Sequence, residues 1–338
     1  MNTVYNKIQE LLEVTAYSKH EQIVNGVINA IDERIVIQGS MLPSVNSMVR
    51  ELGFASKTIV KAYKELKDRG IVDSKNRLGY FVVNEDTDQI KKVALLIYAF
   101  HPFQEEFYNS FRDTLGENIQ VDVFFHHNNL EIFETILGNI SGRYGMYVVA
   151  PIVHPRVKKI LSKIPSRKLL IVDRYEELDG EFSHITQEFE ISTYMMLKAL
   201  LDKIRAYDGM TLYFLPESDH PVEILRAFKK FLQDYEITGS VETHYKPGQL
   251  IRGHLYFTVG DGDLWKLLKD VKKEGLVVGE DVGVLSNDNS PVKEIICGGI
   301  TTFSTDFELM GSRAAEFVLE GNSIQEVIPT VLIQRKSI

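Results

Sequence analysis

Residues 42–82 read LPSVNSMVRELGFASKTIVKAYKELKDRGIVDSKNRLGYFV, and this pattern predicts the structure of the N-terminal part of the chain. Apolar residues recur at helical spacing over 45–52, and Gly53 then ends that short helix. Ser56 can cap a second helix that ends at Gly70. The inward residues of this second helix are Ile59, Ala62, Tyr63 and Leu66. The runs 71–74 and 80–83 are typical of short strands.

The residues before this segment add two further helices. Residues 1–14 have the spacing of an amphipathic helix and lack the basic and long apolar regions of a signal peptide. Ser18 and Glu21 fit a capping box. An apolar stripe follows it at Ile23, Val24, Val27, Ile28 and Ile31. We therefore expect residues 1–83 to form one small domain of helices closed by a strand pair.

Length and composition restrict the class of protein. The chain has 338 residues and 44% hydrophobic residues, which is too long for one typical domain and suits two. Cys297 is the single cysteine, so the sequence offers no disulfide framework and no cysteine-based metal cluster. No apolar run approaches the roughly 20 residues of a membrane helix. Together these features favour a cytoplasmic protein.

Charge is distributed unevenly along the chain. The formal net charge is −9, which by itself disfavours a nucleic-acid binder. Residues 1–88, however, carry 11 basic against 12 acidic residues, and the stretch 57–77 carries seven basic against three acidic residues. A local basic face on an acidic body is compatible with a DNA contact confined to one small module. An ordinary solvated helix face is the alternative explanation.

The second helix of the opening segment has a basic face. Lys57, Lys61 and Lys64 lie on one side, opposite its apolar residues. Such a helix can lie in the major groove, where lysines contact phosphates while Ser56 and Thr58 reach base edges or backbone. The tip of the strand pair, residues 75–79, could reach phosphates or the adjacent minor groove.

The segment resembles the winged helix-turn-helix domain of the GntR family of bacterial regulators. The motifs that carry this resemblance are Leu42-Pro43-Ser44, Glu51-Leu52-Gly53, the stretch 57–66, Gly70-Ile71-Val72 and Gly79-Tyr80-Phe81-Val82. The resemblance implies DNA binding. The family usually has arginine where this chain has Asn46 and Ser56, so the operator sequence stays open. The expected DNA-contacting residues are Ser44, Asn46, Ser56, Lys57, Thr58, Lys61, Lys64, Lys75, Asn76, Arg77 and Gly79.

Residues 84–92 are polar and charged, and we expect them to be a linker. Beyond them, strand-like apolar runs alternate with helical patterns, which is typical of βαβ units with parallel sheet. The strand-like runs are 93–98, 120–125, 145–149, 168–172, 211–215, 254–259 and 282–285, and helical patterns include 129–140, 187–205, 221–235 and 263–274. The length of this part of the chain, residues 93–338, favours two successive α/β lobes over one large sheet.

The stretch 93–338 resembles the sugar-binding domain of the LacI family and of periplasmic sugar-binding proteins. The resemblance is carried by the stretches 171–174, 280–284 and 301–311, by Asp288, Asn289 and Pro291, and by His101-Pro102-Phe103. It implies a two-lobed domain with an N-lobe of about 93–186 and 307–327 and a C-lobe of about 187–302 and 328–338. Both modules together resemble arabinose repressors of the GntR/LacI chimeric type.

A sugar site needs aromatic faces for C–H groups and planar polar groups for hydroxyls. By resemblance, Phe103 and Phe307 take the aromatic role. Asp173, Arg174, Asp261 and Asp288 take the polar role. The alternatives are that Phe307 is a core residue and that Asp173 and Asp288 are helix caps or turn residues. Gly260 and Ile224 stand where relatives often have asparagine and arginine, which leaves the identity of the sugar open.

Other motifs do not point to chemistry. Residues 260–263 (Gly-Asp-Gly-Asp) are interpreted as a turn, because they lack the spacing of a phosphate or calcium loop. His126 and His127 point to opposite sides of a strand, so a shared metal site is not expected. We expect Cys297 to be buried, and Trp265 either to approach the cleft or to serve packing. No nucleophile–base pair stands out, so neither an enzyme nor a cofactor is expected.

We therefore expect a homodimeric regulator that binds a palindromic double-stranded operator and is released by a monosaccharide, a pentose or deoxyhexose. Activation by the ligand is the opposite possibility. Two alternatives stay open: a chimera with an aminotransferase-like enzymatic domain that binds pyridoxal phosphate, and a ligand-binding protein whose N-terminal domain no longer contacts DNA.

Overall fold

The N-terminal domain consists of helices followed by an antiparallel strand pair. Its helices are α1 (Val4–Glu10), α2 (Lys19–Asp32), α3 (Val45–Leu52) and α4 (Ser56–Asp68), and its strands are β1 (Val72–Lys75) and β2 (Gly79–Val82). The computed structural model describes residues 3–12, 17–68, 70–75, 78–85, 92–140, 144–174, 182–216, 218 and 220–338. Of the expected linker 84–92, residues 86–91 lie outside this set.

Local signals begin and end these helices. The Ser18 hydroxyl accepts a hydrogen bond from the Glu21 amide while the Glu21 carboxylate accepts from the Ser18 amide, which completes the capping box of α2. Gly53 ends α3 in the left-handed conformation at φ 68°, where a glycine avoids the strain of a Cβ.

The core of this domain orients α4. Its residues Ile59, Ala62, Tyr63 and Leu66 are fully buried. The Tyr63 hydroxyl also donates to the carbonyl of Pro43 at 2.6 Å, which ties α4 to the start of α3. One side of α4 is therefore fixed inside the domain, and its opposite side faces outward.

The chain divides into two units, residues 1–91 with 137–145, and residues 92–136 with 146–338. The second unit contains two six-stranded sheets. The first sheet, in the N-lobe, is wholly parallel in the order β13-β7-β6-β5-β3-β4. Its strands are β3 (Lys92–Ile97), β4 (Gln120–Phe125), β5 (Met146–Val149), β6 (Leu169–Asp173), β7 (Ser183–Gln187) and β13 (Gln325–Ile328). The helices of this lobe are α5 (Pro102–Leu115), α6 (Leu130–Ile140), α7 (Pro155–Leu161) and α13 (Phe307–Glu320).

The second sheet, in the C-lobe, has the order β14-β12-β11-β10-β8-β9, and only β14 runs antiparallel to its neighbour. Its strands are β8 (Gly209–Tyr213), β9 (Gly239–Glu242), β10 (His254–Thr258), β11 (Gly283–Asn287), β12 (Thr301–Thr305) and β14 (Thr330–Ile333). The helices of this lobe are α8 (Glu190–Ala199), α9 (Leu201–Ile204), α10 (Val222–Tyr235), α11 (Asp261–Lys273) and α12 (Pro291–Ile295). The chain passes between the lobes after β7, after β12 and between β13 and β14. None of the described helices is both long and apolar enough to span a bilayer.

The predicted α/β architecture with a winged helix-turn-helix domain is confirmed, but several local interpretations are wrong. Residues 260–263 are not a turn, because Asp261 begins α11, where two early acidic residues suit the helix dipole. Cys297 is exposed rather than buried, because it lies in a surface turn at φ 50°. Of the two alternatives given for Trp265, the structure shows packing, because its partly buried side chain lies against the C-lobe core. The sequence pattern also missed the strands β7, β9, β12, β13 and β14.

Candidate functional site

A cavity of about 400 Å³ lies between the two lobes of the second unit. Residues that follow the carboxyl ends of the parallel strands line it from both sheets. This is the place where parallel α/β sheets present loops and helix N-termini to ligands. The side-chain amide of Asn128 donates to the Ser218 carbonyl at 3.3 Å and so connects the two lobes beside the cavity.

The structure brings all the residues expected at the ligand to this one cavity. Phe103 lies at the start of α5 and Phe307 at the start of α13, while Asp173 ends β6 and Arg174 follows it. On the C-lobe side the lining includes Asp261 from α11 and Asp288 after β11. Their contact with a ligand stays a prediction, since the arrangement shows only that they line the same cavity.

An aromatic wall runs along the N-lobe side of the cavity. The ring centroids of Phe307 and Phe103 are 4.7 Å apart, those of Phe103 and His101 5.9 Å, and those of His101 and Tyr98 5.7 Å. His126 continues the wall at 6.1 Å from Tyr98. The two pairs that contain His101 are stacked, the Phe103–Phe307 pair is tilted and the Tyr98–His126 pair is edge-on. Aromatic side chains along a cavity wall can pack against the C–H groups of a sugar.

Tyr98 and His126 had not been predicted at this site. Each directly follows a strand, Tyr98 after β3 and His126 after β4, and strand-end position was the signal that could have found them. The buried His126 ring accepts from the Asn128 amide through Nδ1 at 3.2 Å, so Nε2 carries the proton that the Ala150 carbonyl accepts at 3.1 Å. This pairing describes the uncharged tautomer.

Two predicted ligand residues have left-handed backbones. Asp173 has φ 69° and Asp288 has φ 53°, each at the end of a strand. Aspartate tolerates this region better than most residues, and such conformations concentrate at functional sites. The bend lets both side chains reach the cavity lining.

A hydrogen-bond chain links the cavity to the segments that connect the lobes. The Gln187 side-chain amide donates to the Asp173 carboxylate, and its oxygen accepts from the Thr305 hydroxyl at 2.7 Å. The hydroxyls of Thr305 and Thr330 lie 3.0 Å apart. Because these residues come from the three crossovers, the carboxylate of Asp173 is connected to all of them.

Two positions, Gly260 and Ile224, differ from the residues that relatives often have at the sugar site, and the structure shows what surrounds each. A Cβ on Gly260 would lie 3.2 Å from Nε2 of His220, so the His220 ring occupies the space above the glycine. His220 lines the cavity and had not been predicted there. Ile224, in contrast, is buried in the C-lobe core and does not line the cavity.

Lys293 is a further lining residue that nothing in the sequence had marked. It lies on α12, buried, with Asp261 as its ionic partner. Within the described ranges, no cluster of histidine, cysteine or acidic side chains is arranged to hold a metal ion.

The N-terminal unit presents a separate basic surface on α4. Ser56, Lys57, Lys61 and Lys64 are exposed, Thr58 is half-buried, and the acidic side chains in the described part of the chain form no ion pair with these lysines. Lys67 is different, because its ammonium pairs with Asp73 at 2.7 Å.

The remaining residues expected at DNA flank this helix. Ser44 uses its hydroxyl to cap α3 through the Ser47 amide, and Asn46 is exposed on α3. In the strand pair, the ammonium of Lys75 lies 5.4 Å from the centre of the Phe81 ring, and Gly79 begins β2 at φ 107°. Asn76 and Arg77 lie outside the described residues. The role of all these residues at DNA stays a prediction.

Comparison with known proteins identifies both modules. Residues 19–82 match the family model for bacterial regulatory proteins of the gntR family, and residues 215–338 match that for a periplasmic binding protein-like domain. The HTH-type transcriptional regulator Rv1152 of Mycobacterium tuberculosis is 32% identical over 80 residues, which cover 23% of this chain and 66% of that protein, just under two thirds of its length.

Solved structures resemble the second unit in fold. A LacI family transcriptional regulator from Lactobacillus casei with bound glucose superposes with a TM-score of 0.62 at 16% identity, covering 73% of this chain and 99% of that one. A LacI family regulator from Enterococcus faecium with bound ribose gives 0.59 at 16% identity, covering 73% and 98%. The lac repressor dimer bound to operator and the anti-inducer ONPF gives 0.59 at 16% identity, covering 74% and 95%.

The periplasmic-binding-protein-like match replaces the aminotransferase-like alternative for the C-terminal domain. The chain therefore contains a segment similar to the gntR family of bacterial regulatory proteins, followed by a segment similar to periplasmic binding protein-like domains, and the second unit shares its fold with LacI family regulators.

Proposed function

We propose that this chain is a sugar-responsive transcriptional repressor that leaves its operator when a monosaccharide binds between the lobes of residues 93–338. The observation that carries this proposal is the composition of the cavity, an aromatic wall facing carboxylates and amides. Its volume of about 400 Å³ lies near the small end of the usual range for ligand pockets, which favours a pentose or deoxyhexose over a longer saccharide.

The basic face of α4 supports DNA binding by residues 1–83. Lys57, Lys61 and Lys64 are exposed and can neutralise phosphates, while Ser56 and Thr58 at the helix start can reach base edges. A single winged helix-turn-helix domain of this size, which we call a DNA head, contacts few bases. We therefore propose a homodimer whose two heads bind the halves of a palindromic operator.

Linkage explains how the sugar would act. A ligand that contacts both lobes favours the arrangement in which they are close, and it shifts the equilibrium only by its differential affinity for the two arrangements. If the closed arrangement holds the DNA heads less well, sugar and operator oppose each other by typically about 1–3 kcal/mol. The Gln187–Thr305–Thr330 chain supplies a physical path from the cavity to the crossovers.

The test begins with selection of operator fragments from the genomic DNA by the purified full chain. A band-shift titration with L-arabinose, D-xylose, D-ribose, L-fucose and L-rhamnose then follows. We expect at least one of these sugars to weaken operator binding by about fivefold or more, in line with the coupling above. If none changes operator affinity, the sensor role is wrong, and tighter binding would make the sugar a corepressor.

Charge-reversal variants can distinguish an N-terminal domain that binds DNA from one that no longer contacts DNA. The double variant Lys57→Glu, Lys61→Glu is expected to lose specific binding, because each lysine faces solvent where phosphates would lie. Lys229→Glu, at an exposed site on α10, is the matched control and should bind normally. Unchanged operator affinity in the double variant would support the alternative of a head without DNA contact.

A further inference from the structure

The cavity contains a lysine that is almost completely enclosed. The Lys293 side chain is 2% exposed, although it lies on the short helix α12 beside a ligand-sized space. A buried ammonium is costly unless each of its protons has an acceptor. Its partners therefore define its role.

The Lys293 ammonium has as many acceptors as it has protons. It donates to the carbonyls of Asn287 at 2.6 Å and Asp288 at 2.8 Å, and it lies 2.6 Å from Oδ1 of Asp261. An ammonium has three N–H donors. Lys293 can therefore bind a ligand only by giving up one of these partners, which argues against direct contact with a sugar.

The three acceptors come from two different loops. Asp261 begins α11 after β10, while Asn287 and Asp288 end and follow β11. The loop after β11 is also held through its backbone amides. The Asp288 amide donates to the Phe303 carbonyl at 2.7 Å, and the Asn289 amide donates to the Ser304 hydroxyl at 2.9 Å. One ammonium thus joins the two loops of the C-lobe that carry carboxylates into the cavity.

We propose that Lys293 is a positioning residue for sugar binding: it holds Asp261 in one rotamer and holds the left-handed turn at Asp288 in place. The inference rests on the proposed sugar-binding function. The Asp261 side chain is 34% exposed, so one part of the carboxylate is held by Lys293 while another faces the cavity. Such preorganisation lowers the ordering cost that a ligand would otherwise meet.

The experiment compares four full-length proteins by calorimetric titration with the five sugars named above: wild type, Lys293→Met, Asp261→Asn and the double variant. Lys293→Met is expected to weaken binding of the active sugar about ten- to one-hundredfold, the range for a lost hydrogen bond to a charged group. Asp261→Asn should weaken sugar binding about tenfold in the wild-type protein but less than about threefold in the Lys293→Met variant. This non-additivity is the signature of positioning, because a merely structural role would leave the two effects multiplicative.

Lys266→Met is the matched control. It breaks another lysine–aspartate pair of the same lobe, Lys266 with Asp263 at 3.1 Å, on a half-exposed side chain, and it should leave sugar affinity unchanged. If Lys293→Met fails to fold, as judged by circular dichroism, Lys293→Gln retains two N–H donors and serves in its place.

The outcomes are distinguishable. If the wild type binds a sugar and Lys293→Met binds it equally well, the proposed role of Lys293 is wrong and the proposed function stands. The same conclusion follows if the effects of Lys293→Met and Asp261→Asn on sugar affinity are multiplicative. Wild type that binds none of the five sugars overturns the proposed sensor function, and the inference about Lys293 with it.

Discussion

At the scale of single residues, backbone conformation and side-chain chemistry can be separated at Asp288. Its φ of 53° is a left-handed conformation that costs an ordinary L-residue roughly 1–2 kcal/mol. Its amide donates to Phe303 and its carbonyl accepts from Lys293, so the backbone contacts do not require the carboxylate. Glycine at this position would keep the turn while removing the carboxylate from the cavity.

We expect Asp288→Ala to be less stable than Asp288→Gly by about 1 kcal/mol, because only alanine is strained at positive φ. Both should lose sugar-dependent release from the operator. Urea unfolding measures the first effect and band-shift titration the second. Equal stability of the two variants would show that the turn relaxes when Asp288 is replaced.

At the scale of elements, the packing of α13 against α5 sets one wall of the site. A Cβ on Gly311 would lie 2.3 Å from the Phe107 carbonyl oxygen and 3.1 Å from the Phe111 amide nitrogen. The two helices therefore approach through the glycine. The Ser110 hydroxyl, which donates to the Glu308 carbonyl at 2.7 Å, holds them together. This approach places Phe307 beside Phe103.

Gly311→Ala is expected to lower the free energy of unfolding by about 1–3 kcal/mol, because a clash with backbone atoms can be relieved only by separating the helices. Gly138→Ala, in α6, is the control: nothing lies within 4 Å of its Cβ. This change should be neutral or stabilising by up to about 1 kcal/mol through helix propensity. Thermal unfolding of both variants tests the contrast, and equal melting temperatures would contradict it.

A second element-scale feature is the loop that Asp270 of α11 ties down. Its carboxylate accepts from the Gly248 amide at 2.6 Å and from the Tyr245 hydroxyl at 2.7 Å. The backbone hydrogen bond, followed by the one from Tyr245, lowers the pKa of Asp270 below its ordinary value. A lowered pKa in the folded state means that folding favours the ionised form.

The stabilisation from Asp270 is therefore complete above the ordinary carboxyl pKa and is lost as pH falls through the lowered folded value. We expect Asp270→Asn to be less stable than wild type at about pH 7, with a difference that shrinks towards about pH 3. Urea unfolding at both pH values measures it. A stability difference that stays constant with pH would mean that Asp270 acts through its shape rather than its charge.

At the scale of the whole molecule, the proposed dimer makes a geometric prediction about the operator. Two heads fixed by one effector dimer must meet half-sites on the same side of the duplex, which repeats about every 10–10.5 base pairs. Inserting about five base pairs between the half-sites would turn one of them to the opposite side. We expect this insertion to abolish cooperative binding and an insertion of about ten base pairs to restore part of it. Band shifts with the three DNA spacings measure this, and insensitivity to spacing would favour independent heads.

The predictions made from the sequence differed in success according to the range of the interactions involved. The face of α4 and the caps at Ser18 and Gly53 were predicted correctly, because helical periodicity and capping act within a few residues. Residues 260–263 were misjudged because two glycines outweighed the acidic residues that suit a helix start. Short strands such as β9 and β13 were missed because exposed edge strands carry little apolar pattern.

The sequence by itself was enough to predict a small N-terminal domain with one basic face, an α/β body and polar residues at strand ends, because those features depend on neighbouring residues. The cavity depended on long-range packing. Gln187 and Thr305 are 118 residues apart and share a hydrogen bond, and Lys293 joins loops from two strands. No short-range pattern encodes such pairs. A buried ammonium needs acceptors for its protons, and only the folded chain brings carbonyls and a carboxylate from distant segments close enough to accept them.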